Sequence, residues 1–441
     1  MSMLNIAVSG LNASQVALNV ASNNIANVNT PGYSRQEAQF NSLYTNGPNA
    51  NGLGVEVGGV RRVADEYLNI QLWRGSSASG FDATNAQYLN TIEQVVGSDA
   101  LSITDGLDSF FAALSSASEA PESSAPRQEV ISSAQALAGR FNQLAQSISG
   151  QATQVSDEMS TTVTQINSQL TVVAELNKKI AELGRQGYNT AQLEDSRDKA
   201  VLDLSKLVDI KSSKQSDGTL SLSLSQGQPL VIGANASTMS LAGSALSVQY
   251  GTQTFPVTQS LQGSLGGLIS FRDNVLTPAL LTLNSIAEKF AKEFNHQQML
   301  GLDINTPRTA GKAMFTYDTS SPALSLQVVS GFKPDDLAFG STTAGKGDNT
   351  NLQAMLALKD NHYDAYSNLL GDLAVKSGQA KLDKTASAQL VTEVQNKVNS
   401  VSGVNLDEEG VSIMQYSKAY QANAKVITTA NTLFDTVLGM F

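Results

Sequence analysis

The chain contains no cysteine, which excludes disulfides, thiolate catalysis and cysteine-rich zinc sites. Histidine is nearly missing, with only His296 and His362, too few for an imidazole metal centre. No run reaches the ~18 apolar residues that a membrane-spanning helix needs. The opening Met-Ser-Met-Leu-Asn-Ile has neither a basic leader nor an unbroken apolar block, which predicts no cleavable Sec-type signal peptide. Positive charge is scarce: 28 Lys and Arg stand against 39 Asp and Glu, a net charge of −11. Without a basic surface to displace counterions, nucleic acid is not an expected partner.

Charge is also missing locally, because the first 34 residues carry no Asp, Glu, Lys or Arg. They carry instead a large apolar residue at every seventh position: Leu4, Leu11, Leu18 and Ile25. Smaller Ala7, Ser14, Ala21 and Val28 follow three residues after each. The last segment repeats the pattern with Leu406, Ile413, Tyr420, Ile427, Phe434 and Phe441. Residues seven apart share one side of a helix, so each end of the chain presents a long apolar stripe. The N-terminal stripe has a weak second row and cannot form a strong two-stranded coil alone. It needs the C-terminal helix and then neighbouring subunits, and such ends point to an assembly protein.

The 441 residues suffice for about two to four domains. The first helix is expected to end near Asn27. Thr30-Pro31-Gly32-Tyr33 reads as a type II turn, with Pro presetting one central residue and Gly taking the positive φ of the next. From Phe81 to Leu207 the apolar period is helical. Val130, Ala134, Leu137, Phe141, Leu144 and Ile148 mark one rod, and Met159, Val163, Ile166, Leu170, Val173 and Ile180 another. A separate short helix is expected from Asp65 to about Trp73. Near Ile210 the period changes to alternation, as in Leu220, Leu222 and Leu224, which predicts a β island over about 209–263. Helix then returns, broken by an irregular to β stretch at 307–345, and Gly403-Val404-Asn405 precedes a final helix capped by Asn405. The fold class is therefore mainly α with inserted β: paired terminal helices, an elongated helical bundle and a small central β domain.

Motifs for chemistry are few. Gly340-Ser341-Thr342-Thr343-Ala344-Gly345-Lys346 matches phosphate-loop spacing, but Gly347 stands where Ser or Thr would hold magnesium. A nucleotide-binding enzyme is thus the remote alternative, and Lys346→Ala tests it. The adjacent acids Asp335-Asp336 and Glu408-Glu409 project apart and read as solvated surface. His296 and His362 read as a helix-end and a loop residue. The reading is not an enzyme, with no catalytic, cofactor or metal residues.

Residues 21–33, Ala-Ser-Asn-Asn-Ile-Ala-Asn-Val-Asn-Thr-Pro-Gly-Tyr, resemble the N-terminal motif of bacterial flagellar rod, hook and hook-associated proteins. Residues 416–427, Tyr-Ser-Lys-Ala-Tyr-Gln-Ala-Asn-Ala-Lys-Val-Ile, resemble the closing helix of that family. Ser34-Arg35-Gln36, residues 402–409 and Gly347-Asp348-Asn349 direct the resemblance to the members that join hook to filament. The resemblance implies terminal segments, 1–60 and 402–441, that pair as coiled coil and line an inner tube. The periodicity places a helical bundle at 61–208 and 264–401, and the β insert at 209–263 matches no motif of that family. Implied partners are copies of the chain in a ring, the hook protein, the next junction protein, and a cytoplasmic export chaperone at Ile413–Phe441. The resemblance also implies an extracellular location reached through the flagellar export channel, with termini that order only on assembly. The expected interface residues are Leu4, Leu11, Leu18, Ile25, Ile413, Tyr420, Ile427, Phe434 and Phe441, with Asn27, Thr30, Pro31, Gly32 and Tyr33 setting the turn. A distal rod or hook protein of the same family is the nearer alternative.

Overall fold

The computed structural model describes residues 3–43, 53–258, 260–341, 345–359 and 363–440. Helix α1 (Met3–Ala26) leads through a turn into the antiparallel hairpin β1 (Gln36–Leu43) and β2 (Gly54–Arg62). Four helices follow: α2 (Glu66–Val96), α3 (Ile103–Glu119), α4 (Ser124–Arg185) and α5 (Ala191–Leu207). One small sheet holds β3 (Lys211–Lys214), β4 (Leu220–Ser223), β5 (Pro229–Ile232) and β6 (Asn235–Ala236). A second holds β7 (Thr238–Ala242), β8 (Ala245–Tyr250) and β9 (Gln253–Val257). Next come α6 (Gly263–Phe271), a π-turn at Arg272–Leu276, α7 (Thr277–Leu300), β10 (Phe315–Thr316), α8 (Pro322–Ser325) and β11 (Gln327–Val328). The chain closes with α9 (Thr350–Leu356), α10 (Tyr363–Ser402) and α11 (Leu406–Leu438).

The helical class with a central β region holds, but two expected breaks are absent. The two rods read at Val130–Ile148 and Met159–Ile180 are one helix, α4, of 62 residues. The joining stretch has Gly150 but no proline, and one helical glycine costs only about 1 kcal/mol. Val155, fully buried between Ile148 and Met159, carries the apolar seam across. Likewise the helix beginning at Glu66 does not stop at Trp73 but continues to Val96.

Contacts divide the chain into two compact units. The first comprises Met1–Gly80, Val163–Gly263 and Ala386–Phe441, and the second Phe81–Thr162 and Ser264–Thr385. In the first, two asparagines of α4 hold the two β sheets through their backbone, one at edge strand β7 and one at the start of β4. The Asn167 amide accepts from the Met239 N–H at 2.7 Å and donates to its carbonyl at 2.8 Å. Asn177 does the same to Leu220, at 3.0 and 2.8 Å, and also donates to Gly233 O. A side-chain amide has the donor–acceptor pattern of a peptide group, so each caps backbone that burial would otherwise leave unpaired.

The second unit is built around aromatic rings. Phe110 packs edge-on against Phe290, Phe294 and Phe315, with centroids 5.1–6.1 Å apart. That geometry favours the positive ring edge over the negative face. Below this cluster lies Arg127, with no measurable exposure. Its guanidinium donates to the carbonyls of Pro121, Pro334 and Leu337 and lies 4.4 Å over the Phe339 ring. Burial pulls its pKa down to about 10.

Candidate assembly interface

α1 and α11 run antiparallel. Gly10 of α1 faces Asn423, while Arg35, beyond the far end of α1, meets Ser402 and Glu408 at the start of α11. The buried residues of α1 are its small ones: Ala7, Ala13, Ser14, Ala17, Ala21 and Asn24. With Gly10, five of them form a seam, Ala7-Gly10-Ser14-Ala17-Ala21-Asn24, spaced 3, 4, 3, 4, 3. A Cβ added at Gly10 would stand 2.7 Å from Asn423 Oδ1. Small side chains therefore set a close approach of the two backbones.

Of the large residues expected at the interface, Leu4, Leu11, Leu18 and Ile25 lie half-buried on the flank of this seam. Ile413, Tyr420 and Ile427 are half-buried on α11, and Phe434 is 57% exposed. Phe441 and His362 lie outside the described residues. Every described residue of α11 from Asn431 onward is exposed, including Leu433, Val437 and Leu438. Leu406, Val411 and Met414 add apolar surface near its start. The pair thus buries a narrow strip of small residues and leaves large apolar side chains in water.

The turn after α1 is a hydrogen-bonded hub. Tyr33 N donates to Thr30 O at 3.1 Å, and Gly32 takes φ +84°, the conformation that the Pro-Gly pair predicts. Pro31 and Gly32 are exposed. Asn27 donates to Asn23 O and accepts from the Thr30 hydroxyl, tying the turn back to the helix. Asn24, 1% exposed, accepts from Gln36 N at 3.0 Å and donates to Gln36 O at 2.9 Å, so the helix grips the first residue of β1. The Tyr33 hydroxyl donates to the same Asn24 oxygen at 2.8 Å. Burial, then the negative charges of Asp195 and Glu409, push that phenol up to about 12.

Around the turn lies a cleft of about 920 Å³ lined by residues 27–35, Trp73, Asp195, Lys199 and the start of α11. In it Asp195 accepts from Ser34 N at 3.0 Å and pairs with Arg62 at 3.0 Å. Arg62 also meets Asp198 at 2.7 Å and Glu194 at 3.8 Å. Burial works against the Arg62 charge, but Asp198 and Asp195 outweigh it, and its pKa is raised. Burial also raises the Asp195 carboxyl, because its bonds to Ser34 and Arg62 do not repay desolvation. The charges latch hairpin and turn onto α5. Asn24 and Gln36 fall within the family motifs with no role assigned, Arg61-Arg62 reads in the sequence as a solvated basic pair although Arg62 is largely buried, and Asp195 carries no signal. The asparagine cluster after Ala21 signalled a helix end, but no spacing rule connects it to residues 195–198.

The phosphate-loop candidate is arranged differently from its sequence reading. Residues 342–344 lie outside the described residues, and the Ser341 N–H donates to the Asp348 carboxylate, where an anion would have to sit. His296 is exposed on α7. Asp336 receives the Lys333 N–H and the Lys312 ammonium, and Glu408 pairs with Arg35. Among the described residues no group of three or more carboxylates and imidazoles is placed to hold a metal ion. Nor is any described helix long and apolar enough to cross a membrane.

Comparison with known proteins agrees with this arrangement. The family described as flagellar hook-associated protein FlgK helical domain matches residues 89–315. The flagella basal body rod protein family matches residues 4–33, and the flagellar basal body rod FlgEFG protein C-terminal family matches 395–440. Flagellar hook-associated protein 1 of Salmonella typhimurium is 30% identical over 551 aligned positions, covering 100% of both chains. The Escherichia coli and Bacillus subtilis proteins of that name are 29% and 27% identical, covering 100% and 97% of this chain. Since 551 positions align with only 441 residues, this chain lacks stretches that the Salmonella relative carries. The flagellar hook junction protein FlgK of Burkholderia pseudomallei has the same fold. Its TM-score is 0.67 at 18% identity, over 77% of this chain and 100% of that one. Full-length similarity to named relatives and a domain match across half its length assign the chain to the flagellar hook-associated protein 1 family.

Proposed function

We propose that the protein is a structural part of the bacterial flagellum that joins hook to filament by packing of its terminal helices. The observation that carries this reading is the α1–α11 pair. On α1 it fully buries only small residues and Asn24, while Leu433, Phe434, Val437 and Leu438 of α11 remain exposed. Copies stacked side by side would remove that apolar surface from water at about 25 cal/mol per Å². In this reading 1–60 and 402–441 form the inner layer of an axial polymer, and the bundle 61–208 and 264–401 with the insert 209–263 forms its outer layers. Its neighbours are further copies of the chain, the hook protein below and the next junction protein above. The protein acts by packing and catalyses nothing.

The same exposed end of α11 is the segment a cytoplasmic chaperone would shield before export, over Ile413–Phe441. Export would proceed without a cleavable signal, through the flagellar channel, to an extracellular position. Electron microscopy of cells lacking the gene, with the medium assayed for flagellin, tests the junction role. Bare hooks with flagellin shed as monomer support it. Missing hooks move the protein down to rod or hook, and normal filaments refute it.

A further inference from the structure

Eight methionines are described, four buried and four exposed, and of the exposed four only Met299 lies away from the ends of the chain. Met159, Met239, Met314 and Met355 are at most 1% exposed. Met3, Met414 and Met440 are 49%, 59% and 79% exposed, and all three belong to the ends of the chain that form or adjoin the α1–α11 pair. Met3 continues the seam, four residues before Ala7, at its open end. At 100° per residue, Met414 falls with Val411 and Leu433 within about 100° of one another on α11, and Met440 lies two residues beyond the end of that helix. That face is turned away from Tyr420 and Ile427, which lie toward α1. Methionine suits such a surface, being flexible and polarisable enough to fill irregular gaps between subunits. It is also the apolar side chain most readily oxidised.

We propose that Met3, Met414 and Met440 are oxidation sites whose state controls whether the free chain assembles. The proposal rests on the terminal helices being the polymer interface. A peroxide is the oxidant: one oxygen passes to the thioether sulfur, the O–O bond breaks, and water leaves. Sulfur loses two electrons and the peroxide gains them. The product, a sulfoxide, places a polar, chiral group where an apolar side chain must be buried between copies. Assembled copies cover these sulfurs, so the free chain is the vulnerable form.

The test uses purified full-length protein added to hooks isolated from cells lacking the gene, with tip decoration scored by electron microscopy. Hydrogen peroxide treatment is followed by peptide mass spectrometry. Met299, 48% exposed and outside the terminal pair, serves as internal control. Met3, Met414 and Met440 are expected to oxidise with Met299 and ahead of the four buried methionines. Oxidised wild type should then lose decoration, while Met3→Leu/Met414→Leu/Met440→Leu, treated alike, keeps it although Met299 is oxidised. Decoration by oxidised wild type overturns the proposal, as does equal loss in the treated triple variant. If the untreated variant does not decorate, mass spectrometry of attached wild type decides: protection of these three sulfurs supports the proposal, and oxidation at the free rate overturns it. Hooks left bare by untreated wild type would overturn the interface reading beneath it.

Discussion

Asn24 binds Gln36 through both backbone groups, at 2.9 and 3.0 Å, across the turn that separates the first helix from the first strand. The amide acts as a one-residue strand edge, and Tyr33 holds it in place. Asn24→Ala leaves the N–H and C=O of a 7% exposed residue unpaired. The expected cost is about 2–6 kcal/mol, from roughly 1–3 kcal/mol for each of the two orphaned buried groups. Denaturant unfolding followed by the emission of Trp73, the single tryptophan, reads it directly, because Trp73 lines the same cleft. An unchanged midpoint would mean that the contact contributes nothing.

Gly10 sets the distance between α1 and α11. Gly10→Ala forces the Asn423 amide aside, and Gly10→Leu forces the helices apart. Both should destabilise the pair, the second more. Asn423→Ala should partly rescue Gly10→Ala, with a coupling of about 0.5–3 kcal/mol in a double-mutant cycle. Strict additivity would deny the contact.

Asp303 makes stability depend on acidity in a definite direction. Burial alone would raise its pKa, but Asn305 and Thr309 each donate a backbone N–H and a side-chain group to the carboxylate. These bonds outweigh burial and hold the group below the usual carboxylate range. A depressed folded pKa gives stability that is present above the unfolded value of about 3.9 and is lost as pH falls through the folded one. Asp303→Asn should therefore be less stable at neutral pH, by about 1–3 kcal/mol. The gap to wild type should close as pH drops below about 4. A constant gap across the acid range would contradict this.

Arg127 has no carboxylate partner among its described hydrogen bonds, only carbonyls and the Phe339 ring. Arg127→Met keeps the volume but takes a donor from three carbonyls, of which Pro334 keeps the Leu337 N–H, and should lower stability by about 2–5 kcal/mol. Arg127→Lys keeps the charge yet cannot fork to three acceptors, so it should fall between. Thermal unfolding of the three proteins gives the order, and a variant as stable as wild type would remove Arg127 from the account.

What the sequence made legible was periodic. Val130 through Ile148 and Met159 through Ile180 are buried as their spacing requires, and Asn405 caps α11 by accepting from Asp407 N at 2.9 Å. The Pro31-Gly32 turn followed from backbone chemistry alone. Continuity was harder to read: Gly150 and the glycines of α2 look like breaks until a neighbour's packing repays them. The interface residues were half visible. Ala7, Ser14 and Ala21 stood out as a weak second row, and only the structure makes that row the buried one. The Arg62–Asp195 pair joins residues 133 positions apart, a distance that one sequence does not encode locally.

The seam of α1 has a consequence for the medium around the protein. Its clamp is an amide, its contacts are methyls and a hydroxyl, and no ionisable side chain occurs on α1. Protons and salt have nothing on α1 itself to act upon. On the α1 side of the joint there is no charge for brine, acid or alkali to change, so what the medium can alter lies on α11 alone.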